Sequence, residues 1–131
     1  MSGLEPLLVL VAGPYRSGSG DDPSRIAENV RAMEEAALAL HRAGHLPVLG
    51  EWLALPLIAR AGSSRMGDAA WEQIFHPISE RLAHHCDACL RIGGPSAGAD
   101  QMVAIFERLG RPVYRRLEDV PAAVLGPEPR G

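Results

Sequence analysis

The chain has 131 residues, 47% of them hydrophobic and 22% charged, with a formal net charge of −3. This length suits one domain with a buried core, and the composition excludes a disordered or fibrous chain. The lack of net positive charge argues against duplex nucleic acid as a partner. We therefore interpret residues 1–125 as a single domain, followed by a loose tail at residues 126–131.

A continuous apolar run at residues 7–12 is the first predicted element. It has no basic leader and ends in Gly13-Pro14, so we interpret it as a strand buried on both faces rather than a signal peptide or membrane span. We accordingly expect a cytoplasmic protein without membrane partners. The polar loop that follows, residues 13–22, is long for a strand-to-helix connection, and such loops are often functional.

The middle of the chain alternates helical and strand patterns. A helix is predicted from near Asp22 to Gly44, because Ile26, Val30 and Met33 recur at helical spacing. Residues 45–49 form a second strand that ends at Gly50-Glu51-Trp52. Short helical patterns follow at residues 53–61 and at residues 69–84, where Pro77 predicts a kink or a split.

The last third of the chain contains a strand, a glycine-rich turn and a helix. Residues 87–92 are the strand, residues 93–98 the turn and residues 99–109 the helix. Such a turn presents backbone N–H groups at a helix N-terminus, where the helix dipole favours an anion. A final strand at residues 112–115 and a short helix or turn at residues 117–125 complete the pattern.

Alternating strands and helices predict an α/β fold, a flavodoxin/Rossmann-like three-layer sandwich with a mostly parallel sheet of four or five strands. We expect the strand order 2-1-3-4, so the order reverses between the first strand and the strand at residues 87–92. Ligands of such sheets bind beyond the carboxyl ends of the strands at the reversal. The two loops that leave these strands, at residues 13–20 and 93–98, are therefore expected to face each other.

Cys86-Asp87-Ala88-Cys89, preceded by two histidines, resembles a metal or redox motif only superficially. No second pair of ligands stands at zinc-site spacing, and residues three apart on a strand point to opposite faces. We expect reduced structural thiols and no metal.

Three side chains are candidates for catalysis, namely Asp100, Glu51 and Tyr15. Each also has a structural interpretation: Asp100 stabilises a helix dipole, Glu51 is an acid at a helix start, and Tyr15 is a surface residue of the loop. Trp52 is the better candidate for base stacking, since Trp71 fits an apolar helix face, and His76 is expected on a solvated or packed face. The candidate ligand-binding residues all belong to the loops or to the end of the second strand: Gly13, Pro14, Arg16, Ser17, Gly18, Trp52, Gly94, Pro95, Ser96, Ala97 and Gly98.

An apolar strand ending in Gly13-Pro14-Tyr15, Asn29 in the next helix and the late Ser96-x-Gly98 loop resemble the nucleoside 2-deoxyribosyltransferase superfamily, which includes nucleotide N-glycosidases and small uncharacterised bacterial members. The resemblance covers about residues 7–114. It implies a flavodoxin-like fold, a homodimer or larger assembly, and cleavage of the N-glycosidic bond of nucleosides or nucleotides without metal or other cofactor.

The resemblance also implies roles for individual residues. A glutamate in the family attacks the anomeric carbon, Tyr15 matches the tyrosine that assists it, and Ser96 matches the serine that contacts a 5′-phosphate. The family pattern Ser-x-Gly-x-x-x-Glu places that glutamate at Met102, whose thioether cannot act as the nucleophile. Asp100 is the nearest acid, but two residues along a helix turn it about 200° away.

We therefore expect a hydrolase of N-glycosidic bonds or a (deoxy)ribosyltransferase-like enzyme. Ser96 and residues 94–98 would bind phosphate or sugar, Tyr15 and Arg16 would orient the ligand, and Asp100 or Glu51 would be the working carboxylate. Residues 93–100 also resemble the Gly-Gly…Gly-Ala-Asp turn of proteins related to the LOG phosphoribohydrolases, which suggests a non-catalytic module that binds a nucleotide-derived ligand. A structural homo-oligomeric protein is the remaining alternative.

Overall fold

Four parallel strands form the centre of the protein in the computed structural model, which describes residues 5–123. The order across the sheet is β2-β1-β3-β4, which confirms the predicted α/β class and strand order. The elements along the chain are β1 (Leu8–Ala12), α1 (Pro23–Arg42), β2 (Leu46–Val48), α2 (Gly50–Arg60), α3 (Ala69–His85), β3 (Ala88–Arg91), α4 (Ala97–Arg108) and β4 (Val113–Tyr114).

The residues of β1 alternate between two apolar cores, one on each face of the sheet. Val9 and Val11 pack with Met33 of α1 on one face. Leu10 packs with Phe106 of α4 and with residues of α3 on the other face. Because successive side chains of a strand point to opposite faces, a central strand covered by helices on both sides is apolar throughout. The predicted three layers follow from this arrangement.

The start of α2 differs from the prediction. The helix begins at Gly50, three residues before the predicted start, so Glu51 lies in its first turn. Leu49 is the N-cap of this helix and makes no side-chain capping hydrogen bond. Because position 49 is not Ser, Thr, Asp or Asn, the sequence gives no capping signal at this helix start. The helix α3 runs unbroken past Pro77, so the predicted split is wrong.

Both cysteines are free and buried, and burial raises the pKa of the Cys86 thiol to about 11 and that of Cys89 to about 12. They are packing residues of the core between β1 and α4. In the described chain, no helix is long and apolar enough to cross a membrane. The short helix or turn expected at residues 117–125 is a 3-10 turn at Leu117–Asp119. The expected loose tail at residues 126–131 lies outside the described residues.

The central strands β1 and β3 are hydrogen-bonded neighbours, and Val9 pairs with Ala88 and Ala12 with Arg91. The chain leaves β1 towards α1 on one face and leaves β3 towards α4 on the other. Strand order therefore reverses between these two strands, which is where ligands of open α/β sheets bind.

Candidate functional site

A cavity of about 660 Å³ opens at the carboxyl ends of β1 and β3. Its volume lies within the range of sites that bind small molecules, about 300–1,000 Å³. The walls come from the end of β1, the loop of residues 13–22 (the first loop), the first turns of α2 and α4, and one face of α3.

The first loop and the glycine-rich loop at residues 93–96 meet above the sheet. The Ser17 hydroxyl donates a hydrogen bond to Ser96 Oγ over 3.2 Å. Gly93 has a φ of +79°, and a Cβ there would lie 2.6 Å from Cδ of Pro14. Only glycine permits both that backbone conformation and that approach. The expectation that the two loops face each other therefore agrees with the geometry.

Ser96 is the N-cap of α4 and lies almost fully buried beside the cavity. Its Oγ accepts the Ala99 N–H over 3.2 Å as well as the hydroxyl of Ser17. A serine oxygen that accepts two hydrogen bonds still has its own hydrogen to donate. The hydroxyl can therefore donate to a ligand oxygen at the positive end of the helix.

Three aromatic rings form one wall of the cavity, which we call the aromatic wall: Tyr15, Trp71 and Phe75. Trp71 and Phe75 are stacked with centroids 4.9 Å apart, and the Tyr15 ring lies 5.9 Å from Trp71 and 5.7 Å from Phe75. Asn29 holds this end of the first loop, because its side-chain amide donates to the Tyr15 carbonyl over 2.9 Å. Rigid aromatic surface of this kind suits a flat, partly apolar ligand.

Arg16, which is predicted to orient the ligand, is already paired with protein carboxylates. Its Nε and Nη2 each donate to Asp21 over 3.1 Å, and its Nη1 lies 4.0 Å from Glu72. The guanidinium also lies 5.9 Å from the Trp71 ring centroid. The Asp21 hydrogen bond raises the pKa of Arg16 further, so the group is a permanent cation whose charge is balanced locally.

Glu51 lines the cavity from the first turn of α2 with only 8% of its surface exposed. Within residues 5–123 its Oε2 is buried and has no hydrogen-bond partner. Burial raises the pKa of this carboxyl to about 7, and the charge of Glu34 adds to the increase. Burial, followed by the charge of Glu51, also raises the pKa of Tyr15. A buried carboxyl that is half protonated at neutral pH is suited to proton transfer.

Gly50 brings Glu51 to this position, because it lets α2 lie against α3. A Cβ on Gly50 would come within 2.7 Å of Ser79 Oγ. Ser79 is itself buried and lines the same cavity. The close approach of the two helices therefore forms the part of the cavity wall that contains Gly50, Glu51 and Ser79.

Asp100 lies outside the residues that line the cavity. Its Oδ1 accepts a hydrogen bond over 3.1 Å from Nε of Arg91, whose side chain is 7% exposed, whereas the Asp100 side chain is 62% exposed. The same guanidinium donates to the carbonyls of Ile92 and Gly94. Arg91 and Asp100 thus hold the glycine-rich loop against the first turn of α4.

The remaining predicted residues divide into two groups. Gly13, Ser17, Ala97 and Gly98 line the cavity together with Tyr15, Arg16, Glu51 and Ser96. Outside the lining lie Pro14, Gly18, Trp52, Gly94 and Pro95. Trp52 is 42% exposed and its indole N–H donates to Glu34 over 3.2 Å, so the structure places this side chain on the outer surface of α2.

Sequence reasoning missed the face of α3 that lines the cavity: Trp71, Glu72, Phe75, His76 and Ser79. These residues share one face because positions three and four apart on a helix are neighbours. The same spacing is typical of a buried apolar face, and only the polar members of the set carry a signal of function. Met102 lines the cavity as well and is 5% exposed.

The described residues include no group of three histidine, cysteine, aspartate or glutamate side chains that could hold a metal ion.

Comparisons with known proteins give one informative result. No protein-family model matches the sequence, and no curated protein matches it either. The fold is similar to that of a 2-deoxyribosyltransferase from the psychrotolerant bacterium Bacillus psychrosaccharolyticus, which is described as a biocatalyst for the synthesis of nucleosides. The TM-score is 0.58 with 17% sequence identity, over 81% of this chain and 69% of that chain. At this identity the likeness establishes the shared fold.

Proposed function

We propose that this protein cleaves the N-glycosidic bond of uncharged nucleosides, with Glu51 as the working carboxylate. One observation carries the proposal: the Glu51 carboxyl is buried, has no partner on Oε2 among the described residues, and borders a cavity of about 660 Å³ beside an aromatic wall. The fold shared with a 2-deoxyribosyltransferase supports the same substrate class.

In the proposed reaction, Glu51 acts as a general acid. The protonated carboxyl gives its proton to the departing nucleobase while the bond between the anomeric carbon and the base nitrogen breaks, and the bonding electron pair leaves with the base. Water then adds to the anomeric carbon and loses a proton to solvent. A glutamate whose pKa is raised by burial is the established type of acid for glycosidic cleavage.

The charges around the cavity favour a substrate without phosphate. The charged groups that line it are one cation, Arg16, and the carboxyls of Asp21, Glu51 and Glu72. Arg16 is paired with two of these carboxylates, so the lining side chains within residues 5–123 offer no uncompensated positive charge to a phosphate. Ser96 and the N-terminus of α4 would then bind a sugar hydroxyl rather than a phosphate.

The assay is release of free base, followed by chromatography, from a panel of ribo- and 2′-deoxyribonucleosides and their 5′-monophosphates. We expect release from at least one nucleoside and at least a 10-fold lower kcat/KM for its 5′-monophosphate. A matched Arg16→Gln variant should not improve turnover of the monophosphate. Release from monophosphates alone would contradict the proposed substrate, and release from neither class would contradict the proposed enzyme.

Met102 favours a second candidate function, a non-catalytic module that binds the same ligands. This residue lines the cavity. The sequence resemblance matches it to the glutamate nucleophile of the family, and a thioether forms no glycosyl-enzyme. A binding module would be stabilised by nucleosides without consuming them. At 100 times Kd the stabilisation should be about 2.7 kcal/mol, which a thermal shift detects.

A further inference from the structure

His76 lies on the cavity-lining face of α3, between Glu72 one turn before it and Ser79 one turn after it. Its ring faces the first turn of α4, because a Cβ added to Gly98 would lie 3.8 Å from His76 Cε1. That distance is an ordinary van der Waals separation, and the absence of a side chain at residue 98 leaves space in front of the imidazole.

Two other histidines of the described chain use their ring nitrogens for structure. The His45 ring accepts the Leu7 N–H over 3.1 Å and pairs with the Pro121 carbonyl over 2.6 Å. The His84 ring lies 2.8 Å from the Glu80 carbonyl of its own helix. The hydrogen bonds among residues 5–123 include none to the ring of His76, although it borders a cavity.

The His76 ring stands next to the aromatic wall in a defined orientation. It meets Phe75 edge to face, with centroids 5.8 Å apart and an interplanar angle of 84°. Phe75 in turn stacks on Trp71. A flat heterocycle resting on this wall would lie beside the adjacent imidazole, which borders the same cavity.

We propose that His76 hydrogen-bonds the edge of the nucleobase and determines which base the site prefers. This inference rests on the proposed function, because it requires a nucleoside in the cavity. A neutral imidazole carries one donor and one acceptor on its ring nitrogens, and these match the alternating donors and acceptors along a base edge. A site that hydrogen-bonds a polar group discriminates against ligands that lack it, since its own polar group is then left unpaired.

The experiment compares wild type with His76→Phe across nucleosides of the four common bases, with affinity and kcat/KM as readouts. Phenylalanine keeps a planar ring against Phe75 but has no hydrogen-bonding nitrogen. We expect the preferred nucleoside to lose about 10-fold in affinity, the effect of one net hydrogen bond of about 1.4 kcal/mol. The least preferred nucleoside should change less than 2-fold, so that the preference between bases collapses.

Two conservative variants locate the hydrogen bond. The side-chain amide nitrogen of asparagine lies near the place of Nδ1, and that of glutamine near the place of Nε2. We expect either His76→Asn or His76→Gln to restore part of the base preference. Circular dichroism and thermal melting of each variant confirm that α3 remains folded.

His84→Gln is the matched control, since His84 lies on the same helix, outside the cavity, and should leave the preference unchanged. Equal weakening of all nucleosides by His76→Phe, or no weakening, would overturn the role of His76 while the proposed function stands. If wild type neither binds nor cleaves any nucleoside, the proposed function fails and this inference fails with it.

Discussion

The first turns of α2 and α4 each present an acidic side chain near the carboxyl end of the sheet, but the two carboxyls lie in opposite environments. Glu51 is 8% exposed, and its Oε2 has no partner among the described residues. The Asp100 side chain is 62% exposed and hydrogen-bonded to a buried arginine. The Glu51 carboxyl is therefore destabilised by its burial. The Asp100 carboxyl, in contrast, is stabilised by solvent and by its hydrogen bond with Arg91.

Under the proposed function, this contrast separates a group that acts in the reaction from a group that stabilises the fold. A buried polar atom without a partner costs the folded state about 1–3 kcal/mol, and a ligand or a proton bound at the cavity would offset that cost. An exposed aspartate in the first turn of a helix, paired with arginine, stabilises the fold without any ligand. We therefore assign the proposed chemistry to Glu51 and the positioning of the glycine-rich loop to Arg91 and Asp100.

The largest expected effect is on catalysis. Glu51→Gln removes the proton donor while it preserves the shape of the side chain, so base release should fall by about 10²–10⁴-fold. Asp100→Asn should change it less than 5-fold, because that carboxyl does not line the cavity. Chromatographic assay of both purified variants checks the contrast, and an equal loss in the two would contradict it.

A second effect, of about 4 kcal/mol, concerns stability and pH. The pKa of Glu51 is about 7 in the fold, whereas an unfolded glutamate titrates near 4.3, so the folded state binds more protons between these values. The free energy of unfolding should therefore fall as pH rises from about 4 to about 7, by about 1.4 kcal/mol for each unit of the difference. Glu51→Gln should abolish this fall.

Urea denaturation at several pH values tests the effect. At pH 8 the Glu51→Gln variant should be the more stable protein by up to about 4 kcal/mol, and the difference should shrink towards pH 5. Asp100→Asn is the matched control, because it should not reproduce the gain at pH 8. A wild-type protein whose stability relative to Glu51→Gln is independent of pH would refute the buried, proton-binding Glu51.

The smallest expected effect concerns the hydrogen bonds of Arg91 and Asp100 at the start of α4. Arg91→Gln leaves the carbonyls of Ile92 and Gly94 without their shared donor and should lower the free energy of unfolding by about 2 kcal/mol. Asp100→Asn should lower it by less than about 1 kcal/mol, because the aspartate is mostly exposed. Urea denaturation of the single and double variants measures both, and a larger cost for Asp100→Asn would reverse the assignment.

Much of the fold follows from the sequence because its signals are local and regular. The apolar run of β1, the helical spacing in α1 and the alternation of elements predict the sheet order and the facing loops. The start of α2 was missed because Leu49 provides no capping side chain. Because of this three-residue error, the prediction leaves Glu51 at the end of a strand, whereas the structure has it in the first turn of α2.

The site was harder to predict, since its members are set by packing between distant helices. The sequence predicts Tyr15, Ser17 and Ser96 as site residues because they lie on loops at strand ends. The sequence favours Trp52 over Trp71 for base stacking, yet Trp71 borders the cavity and Trp52 does not. Both tryptophans fit amphipathic helices, and no sequence pattern states which face of α3 is left uncovered.

Gly50 links the burial of Glu51 to the packing of α2 on α3. A Cβ at residue 50 would lie 2.7 Å from Ser79 Oγ, so a side chain there requires either that this hydroxyl rotate away or that α2 shift from α3. A shift that exposed the Glu51 carboxyl would bring its pKa back towards the ordinary value for glutamate, and the group would then be ionised at neutral pH. Position 50 thus influences the acidity of its neighbour through the packing of α2 on α3, and variation there would tune the pH range of the proposed reaction.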